Sequence, residues 1–146
     1  MIIDTSYLLP LARIEIDNDF LLAIAEKRGS SNQLSFDRIR INSISIFELQ
    51  AKAAKLRVKL AYVLDAIEQI SKSFRIESYY SPDIIKTAFE LRETMFSDYI
   101  DCIIVATAIE LKDELVTEDS RIIRKKEALK EEYELLVFTS RELLSR

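Results

Sequence analysis

The chain opens with an apolar segment that ends in a carboxylate and passes at once into a second apolar run. Ile2 and Ile3 precede Asp4, and Thr5-Ser6-Tyr7-Leu8-Leu9 follows. A short apolar run that ends in an acid is typical of a buried strand in a parallel sheet. This pattern predicts an α/β fold in which Asp4 lies at the carboxyl edge of the sheet, where open α/β folds bind their ligands.

The rest of the chain alternates between strand-like and helix-like segments. Further strands are predicted over 38–45, 74–77, 114–117 and 135–139. Helices are predicted over 6–13, 20–28, 45–56, 59–71, 82–95, 100–111 and 141–145, with a basic helix after Ser120. Such alternation favours parallel pairing. Because no repeat or linker interrupts it, we expect a single domain over residues 1–146, a three-layer α/β/α sandwich around a mostly parallel sheet of about five strands.

Several local signals set these boundaries. Gly29 is the expected stop of the helix over 20–28, and 30–37 is expected to be a loop. The sequence Ser45-Ile46-Phe47-Glu48 matches a capping box and predicts a helix start at Ser45. The segment 100–111 is apolar nearly all round and should be buried, and the apolar stripe of 59–71 should face the core.

Missing residue types exclude several kinds of site. The chain of 146 residues has no histidine, so neither a Ser-His-Asp triad nor a His-ligated zinc site can form. Its only glycine is Gly29, which excludes a Walker loop and a dinucleotide fingerprint. The single Cys102 excludes an internal disulfide and suits a reducing cytoplasm. Without a secretory signal or a long apolar run, we expect a cytoplasmic protein that does not contact membranes.

Acids follow the predicted strands at several junctions. Asp4, Glu48 and Asp119 each lie where a strand passes into a helix, and Asp101 lies in the first turn of the apolar helix. Parallel strands bring their carboxyl ends to one edge, so Asp4, Glu48 and Asp119 are expected to share that edge. If the first turn of the apolar helix points to the same edge, Asp101 joins them and four carboxylates converge. Converging carboxylates repel one another, and a hard divalent cation such as Mg²⁺ or Mn²⁺ relieves the repulsion. Such an ion can activate water for phosphodiester cleavage.

Each acid also has a purely structural interpretation. Asp4 and Asp119 could cap the helices that follow them, and Glu48 could be the reciprocal residue of a capping box that starts at Ser45. Asp98 precedes the helix that carries Asp101 and is best interpreted as its cap. Helix caps are common, so the argument for a metal site rests on the four acids together.

With these residues in place, the chain resembles the PIN-domain family of metal-dependent ribonucleases. It looks most like the small single-domain members that act as toxins of VapBC-type toxin–antitoxin pairs. The matching segments, which span nearly the whole chain in order, are Ile2-Ile3-Asp4-Thr5-Ser6, Ser45-Ile46-Phe47-Glu48-Leu49, Ile100-Asp101-Cys102-Ile103-Ile104-Val105-Ala106-Thr107-Ala108 and Leu115-Val116-Thr117-Glu118-Asp119. The Asp101 segment is the most specific of them.

The resemblance implies a function and roles for individual residues. It implies an endoribonuclease in which Asp4, Glu48, Asp101 and Asp119 are catalytic and hold Mg²⁺ or Mn²⁺, directly or through water. Asp98 would be an auxiliary acid, and Thr5 or Ser6 and Thr117 would support the ligands by hydrogen bonds. Of the two adjacent acids, Asp119 fits the spacing of the family pattern after Val116-Thr117 better than Glu118 does. The resemblance also implies an RNA substrate, a homodimer and an antitoxin partner.

Basic and aromatic side chains near the acids are candidates for RNA contact. Lys52 and Lys55 follow Glu48, and Arg121 and Arg124 follow Asp119. Such residues could contact backbone phosphates, although charge runs of this kind usually form an ordinary solvated helix face. Tyr79 and Tyr80 could stack on bases, but aromatic side chains are more often packed inside a protein.

Two other functions fit parts of the sequence. A PIN-like fold can serve as a catalytically weak RNA-binding or scaffold module, and a lack of metal binding would favour it. An aspartate-nucleophile phosphatase also begins with a strand that ends in Asp. That chemistry needs a second acid two residues further on, where this chain has Ser6.

Overall fold

The computed structural model describes residues 1–26 and 34–146. The predicted helix end at Arg28, the predicted stop at Gly29 and the first part of the loop expected over 30–37 lie outside the described residues. The structure therefore tests the remaining element boundaries.

The described residues form one parallel sheet of five strands. The strands are β1 Ile2–Ile3, β2 Arg40–Asn42, β3 Arg75–Glu77, β4 Leu115–Val116 and β5 Val137–Phe138. Their order is β3-β2-β1-β4-β5, and every neighbouring pair is parallel. The first strand of the chain is thus the central one, so the residue that follows it lies in the middle of the carboxyl edge. The predicted α/β fold class is confirmed.

Helices connect these strands. They are α1 Phe20–Ala25, α2 Ser43–Lys55, α3 Leu60–Ser73, α4 Pro82–Thr94, α5 Tyr99–Glu110, α6 Ser120–Ile123, α7 Lys126–Tyr133 and α8 Ser140–Leu144. Two 3-10 helices, Thr5–Ala12 and Phe36–Arg38, complete the described elements. The first was expected as an α-helix. Pro10 lies inside it and has no amide hydrogen, so a regular α-helical ladder cannot run through this segment.

The two faces of the sheet carry separate hydrophobic cores. Ile3 and Val116 point into the core under the Thr5–Ala12 helix, α1, α2, α3 and α8. Ile2 and Leu115 point to the opposite core under α4, α5, α6 and α7. Successive strand residues face opposite sides of a sheet, so apolar runs such as Ile2-Ile3 and Leu115-Val116 fill both cores at once. This is the three-layer arrangement that the sequence predicts.

Two helices differ in how far they are buried. All residues from Asp101 to Ala108 of α5 are buried, as the apolar composition of that segment predicts. In α3 the apolar stripe reaches the core at Ile70, whereas Leu60 and Leu64 are exposed. The expectation that the whole stripe faces the protein interior is therefore wrong for the first half of α3.

The start of α2 also differs from the prediction. The helix begins at Ser43, and its cap is Asn42, whose Oδ1 accepts a hydrogen bond from the Ile44 amide at 2.9 Å. Ser45 is buried, and in the described part of the chain its Oγ has no hydrogen-bond partner. The predicted capping box is wrong because the Asn42 side chain competes successfully for the exposed amides of the first turn. Glu48 consequently lies in the second turn of α2.

Within residues 1–26 and 34–146, the structure contains no helix that is both long enough and apolar enough to cross a membrane.

Candidate active site

Asp4 follows β1 directly and is fixed by the neighbouring strand β4. Its amide donates to the Val116 carbonyl at 3.1 Å, and its Oδ2 accepts a hydrogen bond from the Thr117 hydroxyl at 2.8 Å. The Ser6 hydroxyl lies at the longer distance of 3.5 Å from the same oxygen. Among the described residues, the Asp4 side chain makes no capping hydrogen bond to the helix that follows. Asp4 is thus held by β4 rather than by the first turn of the helix that follows it.

Thr117 joins Asp4 to Asp119. Its Oγ1 donates to Asp4 and accepts a hydrogen bond from the Asp119 amide at 2.9 Å. Asp119 in turn caps α6, since its Oδ1 accepts from the Arg121 amide at 2.7 Å. Its capping role and its place beside Asp4 are therefore compatible.

Asp101 lies in the first turn of α5, where Asp98 is the cap. Asp98 Oδ1 accepts from the Ile100 amide at 2.9 Å and from the Asp101 amide at 3.4 Å. Asp101 is only 8% exposed. Its Oδ2 is buried and has no aligned hydrogen bond in the part of the chain that the structure describes. A buried carboxylate oxygen in this condition needs a cation or a proton.

Arg121 lies against three of the acids. Its Nη2 is 2.8 Å from Asp119 Oδ2 and 3.0 Å from Asp101 Oδ2, and its Nη1 is 3.6 Å from Asp98 Oδ2. The contact with Asp101 is close but not directed as a hydrogen bond, so it neutralises charge without satisfying Oδ2. The contact with Asp119 is bidentate, because Nε also donates to Oδ1 at 3.2 Å.

Glu48 approaches the same edge from α2. Burial raises the pKa of its carboxyl, and the negative charges of Asp4 and Asp98 add to that rise. The Thr5 hydroxyl and Lys52 act in the opposite direction. Thr5 Oγ1 is buried, and among the described residues it makes no aligned hydrogen bond.

The acids influence one another's protonation. Burial raises the pKa of Asp101 to about 7, and Asp98 and Asp119 add to the rise while Arg121 opposes it. Burial also raises the pKa of Asp4, with a contribution from Asp119. The hydrogen bonds from Arg121 lower the pKa of Asp119. Negative charge is thus concentrated at one edge of the sheet, and Arg121 compensates only part of it.

The donor atoms at this edge suit a hard divalent cation. They are carboxylate oxygens, which Mg²⁺ and Mn²⁺ prefer, and one of them is buried without a hydrogen bond. No three acids or cysteines within 1–26 and 34–146 are close enough together to enclose an ion. Asp119 is instead turned toward Arg121. The chemistry of the residues therefore fits the metal, whereas the present conformation balances their charge with a guanidinium.

Glu118, the other acid of the Glu118-Asp119 pair, faces away from this cluster. Its Oε1 accepts hydrogen bonds from the Tyr7 hydroxyl at 2.9 Å and from the Ser140 amide at 3.0 Å. It thereby ties the segment after β4 to the Thr5–Ala12 helix and to α8. The geometry agrees with the choice of Asp119 as the site residue.

The residues considered for RNA contact lie in different surroundings. Lys52 is near enough to Asp4 and Glu48 to lower the pKa of both. Arg124 donates from Nε to the Ser120 carbonyl at 3.0 Å. Tyr79 and Tyr80 follow β3 at the carboxyl edge and are 47% and 68% exposed, so the expectation that they pack inside the protein is wrong.

Two features of the site were not expected from the sequence. One is the position of Arg121 between the acids. The other is a buried hydrogen bond of 2.8 Å from Asn42 Nδ2 to Thr107 Oγ1, which joins the start of α2 to α5. Thr107 belongs to the Ala106-Thr107-Ala108 motif, so a polar residue within an apolar helix was the available signal.

Comparison with known proteins shows which family the sequence matches. The sequence profile of the PIN domain family matches residues 1–128. Ribonuclease VapC22 of Mycobacterium tuberculosis is 36% identical over 87 residues, which are 59% of this chain and 66% of the relative. The match thus spans slightly less than two thirds of the relative's length.

Solved structures share the fold at lower identity. A toxin-antitoxin complex from Klebsiella pneumoniae has a TM-score of 0.58 at 23% identity, covering 82% of this chain and 86% of the other. FitAcB from Neisseria gonorrhoeae gives 0.64 at 17% identity, covering 95% and 96%. VapBC2 from Rickettsia felis, bound to a promoter DNA fragment, gives 0.60 at 18% identity, covering 94% and 96%.

Proposed function

Because the chain belongs to the PIN-domain family, we propose that it is a ribonuclease that hydrolyses RNA phosphodiester bonds with Mg²⁺ or Mn²⁺ held by Asp4, Glu48, Asp101 and Asp119. The observation that carries the proposal is that each of these acids lies near enough to another acid at the carboxyl edge to interact with it electrostatically. Burial and mutual repulsion raise the pKa of Asp4, Glu48 and Asp101 there. The named activity of the relative VapC22 supports the same class of reaction.

The roles of the residues follow from their positions. A bound divalent cation would lower the pKa of water and withdraw charge from the scissile phosphate. Asp101, which is buried in the first turn of α5, would be the ligand at the floor of the site. Thr117 would orient Asp4 through its 2.8 Å hydrogen bond. Asp98, already engaged as the cap of α5, would add charge as an auxiliary acid.

The substrate would be bound by charge and by aromatic faces. Lys52 is the basic residue whose charge reaches Asp4 and Glu48, so it would contact a phosphate beside the cut. Lys55, Arg121 and Arg124 would contact RNA backbone phosphates further from the cleaved bond. Single-stranded RNA suits this surface best, because unpaired bases can reach the exposed rings of Tyr79 and Tyr80.

The biological role would be that of a toxin restrained by an antitoxin. Solved structures with this fold include toxin-antitoxin complexes. Exposed apolar side chains on α2, on α3 and directly after α2 offer a surface for such a partner; they are Phe47, Leu56, Leu60 and Leu64. We also expect a homodimer and, from the single Cys102, a reducing cytoplasm as the place of action. A protein that co-purifies with this chain as its antitoxin should inhibit cleavage, and light scattering of the isolated chain should give twice its mass.

A cleavage assay tests the proposed activity. Purified protein is incubated with end-labelled single-stranded RNA in Mg²⁺, Mn²⁺ or EDTA. We expect cleavage with either metal, none in EDTA, and a loss of at least about a hundredfold in Asp4→Asn and Asp101→Asn, since each removes a ligand of the metal. Asp65→Asn, on the exposed side of α3, is the matched control and should cleave like the wild type. Full cleavage by Asp101→Asn would contradict the proposal.

The competing function is a catalytically weak PIN-like scaffold. It is favoured by the finding that no three acids among the described residues enclose an ion. RNA binding that is equal in Mn²⁺ and EDTA, without cleavage in either, would establish the scaffold in place of the enzyme.

A further inference from the structure

The guanidinium of Arg121 lies among the acids that we propose as metal ligands, and the inference drawn from this rests on that proposed function. The same nitrogen, Nη2, contacts Oδ2 of Asp119 at 2.8 Å and Oδ2 of Asp101 at 3.0 Å. Nη1 faces Asp98 at 3.6 Å. A cation of the chain itself is therefore in contact with the oxygens that a metal would take.

Arg121 also holds Asp119 away from any shared ion. Both carboxylate oxygens of Asp119 are engaged by this one side chain, through Nε and Nη2. The Asp119 carboxylate faces Asp101 across this guanidinium, so the guanidinium must leave before the two acids can share an ion. This contact accounts for the spacing of the acids in the described residues, which interact electrostatically but are too far apart for three of them to surround one ion.

The contacts of Arg121 are open to solvent on one side. Its side chain is 50% exposed, whereas that of Asp101 is 11% exposed. Water and salt reach the guanidinium and screen its ion pairs, although the bidentate contact with Asp119 is stronger than a single surface ion pair. Arg121 also lies in the first turn of α6, a helix of only four residues. The guanidinium can therefore move into solvent while Asp101 stays in place.

Electrostatic repulsion prevents the Arg121 guanidinium and a divalent cation from occupying the acidic site together. A guanidinium and a metal ion on the same two oxygens would be like charges in close proximity and would repel each other. A displaced guanidinium at the rim of the site is suited to phosphate, which it can bind through two parallel hydrogen bonds. We propose that Arg121 is a built-in counter-ion of the acidic site, that a divalent cation displaces it, and that it then binds a backbone phosphate of the RNA.

Calorimetric titration with Mn²⁺ tests the displacement. The variant is Arg121→Gln, and the matched control is Arg124→Gln, which removes the same charge from the end of the same helix. Because Mn²⁺ no longer has to displace a guanidinium, Arg121→Gln should bind it about five- to tenfold more tightly than the control does. Equal or weaker binding by Arg121→Gln would overturn the exchange. If none of the proteins binds Mn²⁺, the proposed metal centre fails as well, so the two failures are distinguishable.

A spectroscopic measurement follows the side chain itself. In a ¹⁵N spectrum of the arginine Nε–H groups, the Arg121 signal is identified by its loss in Arg121→Gln. Saturating Mg²⁺ should move this signal toward the position of solvent-exposed arginines while the Arg124 signal stays in place. An Arg121 signal that does not move when the protein is saturated with Mg²⁺ would overturn the proposal.

The phosphate contact is tested with a 2′-O-methyl RNA oligonucleotide that a gel shows to remain intact. Arg121→Gln should weaken its binding about fivefold in Mg²⁺ and much less in EDTA, where the guanidinium is held by the acids. The same loss in both conditions would show that Arg121 contacts RNA without being released by the metal, and it would overturn the exchange.

Discussion

Glu118 and Asp119 are adjacent in the chain, but their side chains point in opposite directions and contact different parts of the structure. The Glu118 side chain accepts hydrogen bonds from Tyr7 and Ser140, whereas Asp119 faces Asp101 across the guanidinium of Arg121. Successive residues of an extended segment point in opposite directions, so only one of two neighbouring acids can face the site. The division explains how an acidic pair supplies one structural and one candidate catalytic carboxylate.

The first prediction separates these two roles. Glu118→Ala removes the acceptor of the Tyr7 and Ser140 hydrogen bonds and should destabilise the protein by about 1–2 kcal/mol in urea unfolding. The response of its melting temperature to Mn²⁺ should stay that of the wild type. Glu131→Ala, an exposed glutamate on α7, is the control and should change stability little. Loss of the Mn²⁺ response in Glu118→Ala would show that the assignment of the two acids is wrong.

The second prediction concerns pH. The pKa of Asp101 is raised from 3.8 to about 7 in the folded protein. The folded state therefore binds the extra proton between about pH 4 and pH 7, and stability is lost as pH rises through this window. Asp101→Asn has no such proton to lose. Without metal, its stability relative to the wild type should increase across the window, by up to about 4 kcal/mol.

Urea unfolding in EDTA at a series of pH values measures this difference. Asp65→Asn provides the baseline, because Asp65 is exposed on α3 and its variant should track the wild type at every pH. A stability difference between Asp101→Asn and the wild type that does not change with pH would contradict the raised pKa.

The third prediction concerns the link between α2 and α5. The buried hydrogen bond from Asn42 to Thr107 fixes the helix that carries Glu48 against the helix that carries Asp101. Asn42→Ala should cost about 2–3 kcal/mol, because it also removes the cap of α2. Thr107→Val keeps the shape and should cost less. A double-mutant cycle should give a coupling of about 1 kcal/mol, and additive effects would show that the bond contributes no stability of its own.

The fourth prediction concerns Lys52. Because its charge reaches Asp4 and Glu48, we expect it to neutralise one RNA phosphate. Lys52→Gln should weaken RNA binding and reduce the slope of log affinity against log salt by about 0.7, as measured by fluorescence anisotropy in EDTA. Lys72→Gln, at the end of α3 where Lys72 pairs with Glu68, is the control and should leave the slope unchanged. Equal slopes for the wild type and Lys52→Gln would exclude the contact.

The sequence predicted the fold well because its apolar segments are short and clearly separated by helical patterns. Ile2-Ile3 and Leu115-Val116 are apolar on both faces, which identifies them as inner parallel strands. Boundaries were less predictable where side chains compete for the same backbone groups. Asn42 and Ser45 are both good caps, and Asn42 is the one used: its Oδ1 accepts from the Ile44 amide while its Nδ2 donates to Thr107, a distant residue that no local pattern identifies.

The candidate site was partly predictable for a similar reason. Asp4 and Asp119 follow strands, so topology alone brings them to one edge. The place of Arg121 could not be predicted, because a basic residue after an acid in a polar segment is usually solvated. Its contact with Asp101 depends on how closely α6 approaches the start of α5, which no local pattern encodes.

Thermal unfolding with and without Mn²⁺, for the wild type and Asp101→Asn, tests most directly whether the four acids form a metal site. Saturating Mn²⁺ should raise the melting temperature of the wild type by about 5 °C or more, because the ion binds only the folded state. Asp101→Asn should melt at the same or a higher temperature without metal, owing to reduced repulsion, and should respond weakly to Mn²⁺. A wild type that does not respond to Mn²⁺, or a variant that responds equally, would contradict the metal site and favour the scaffold.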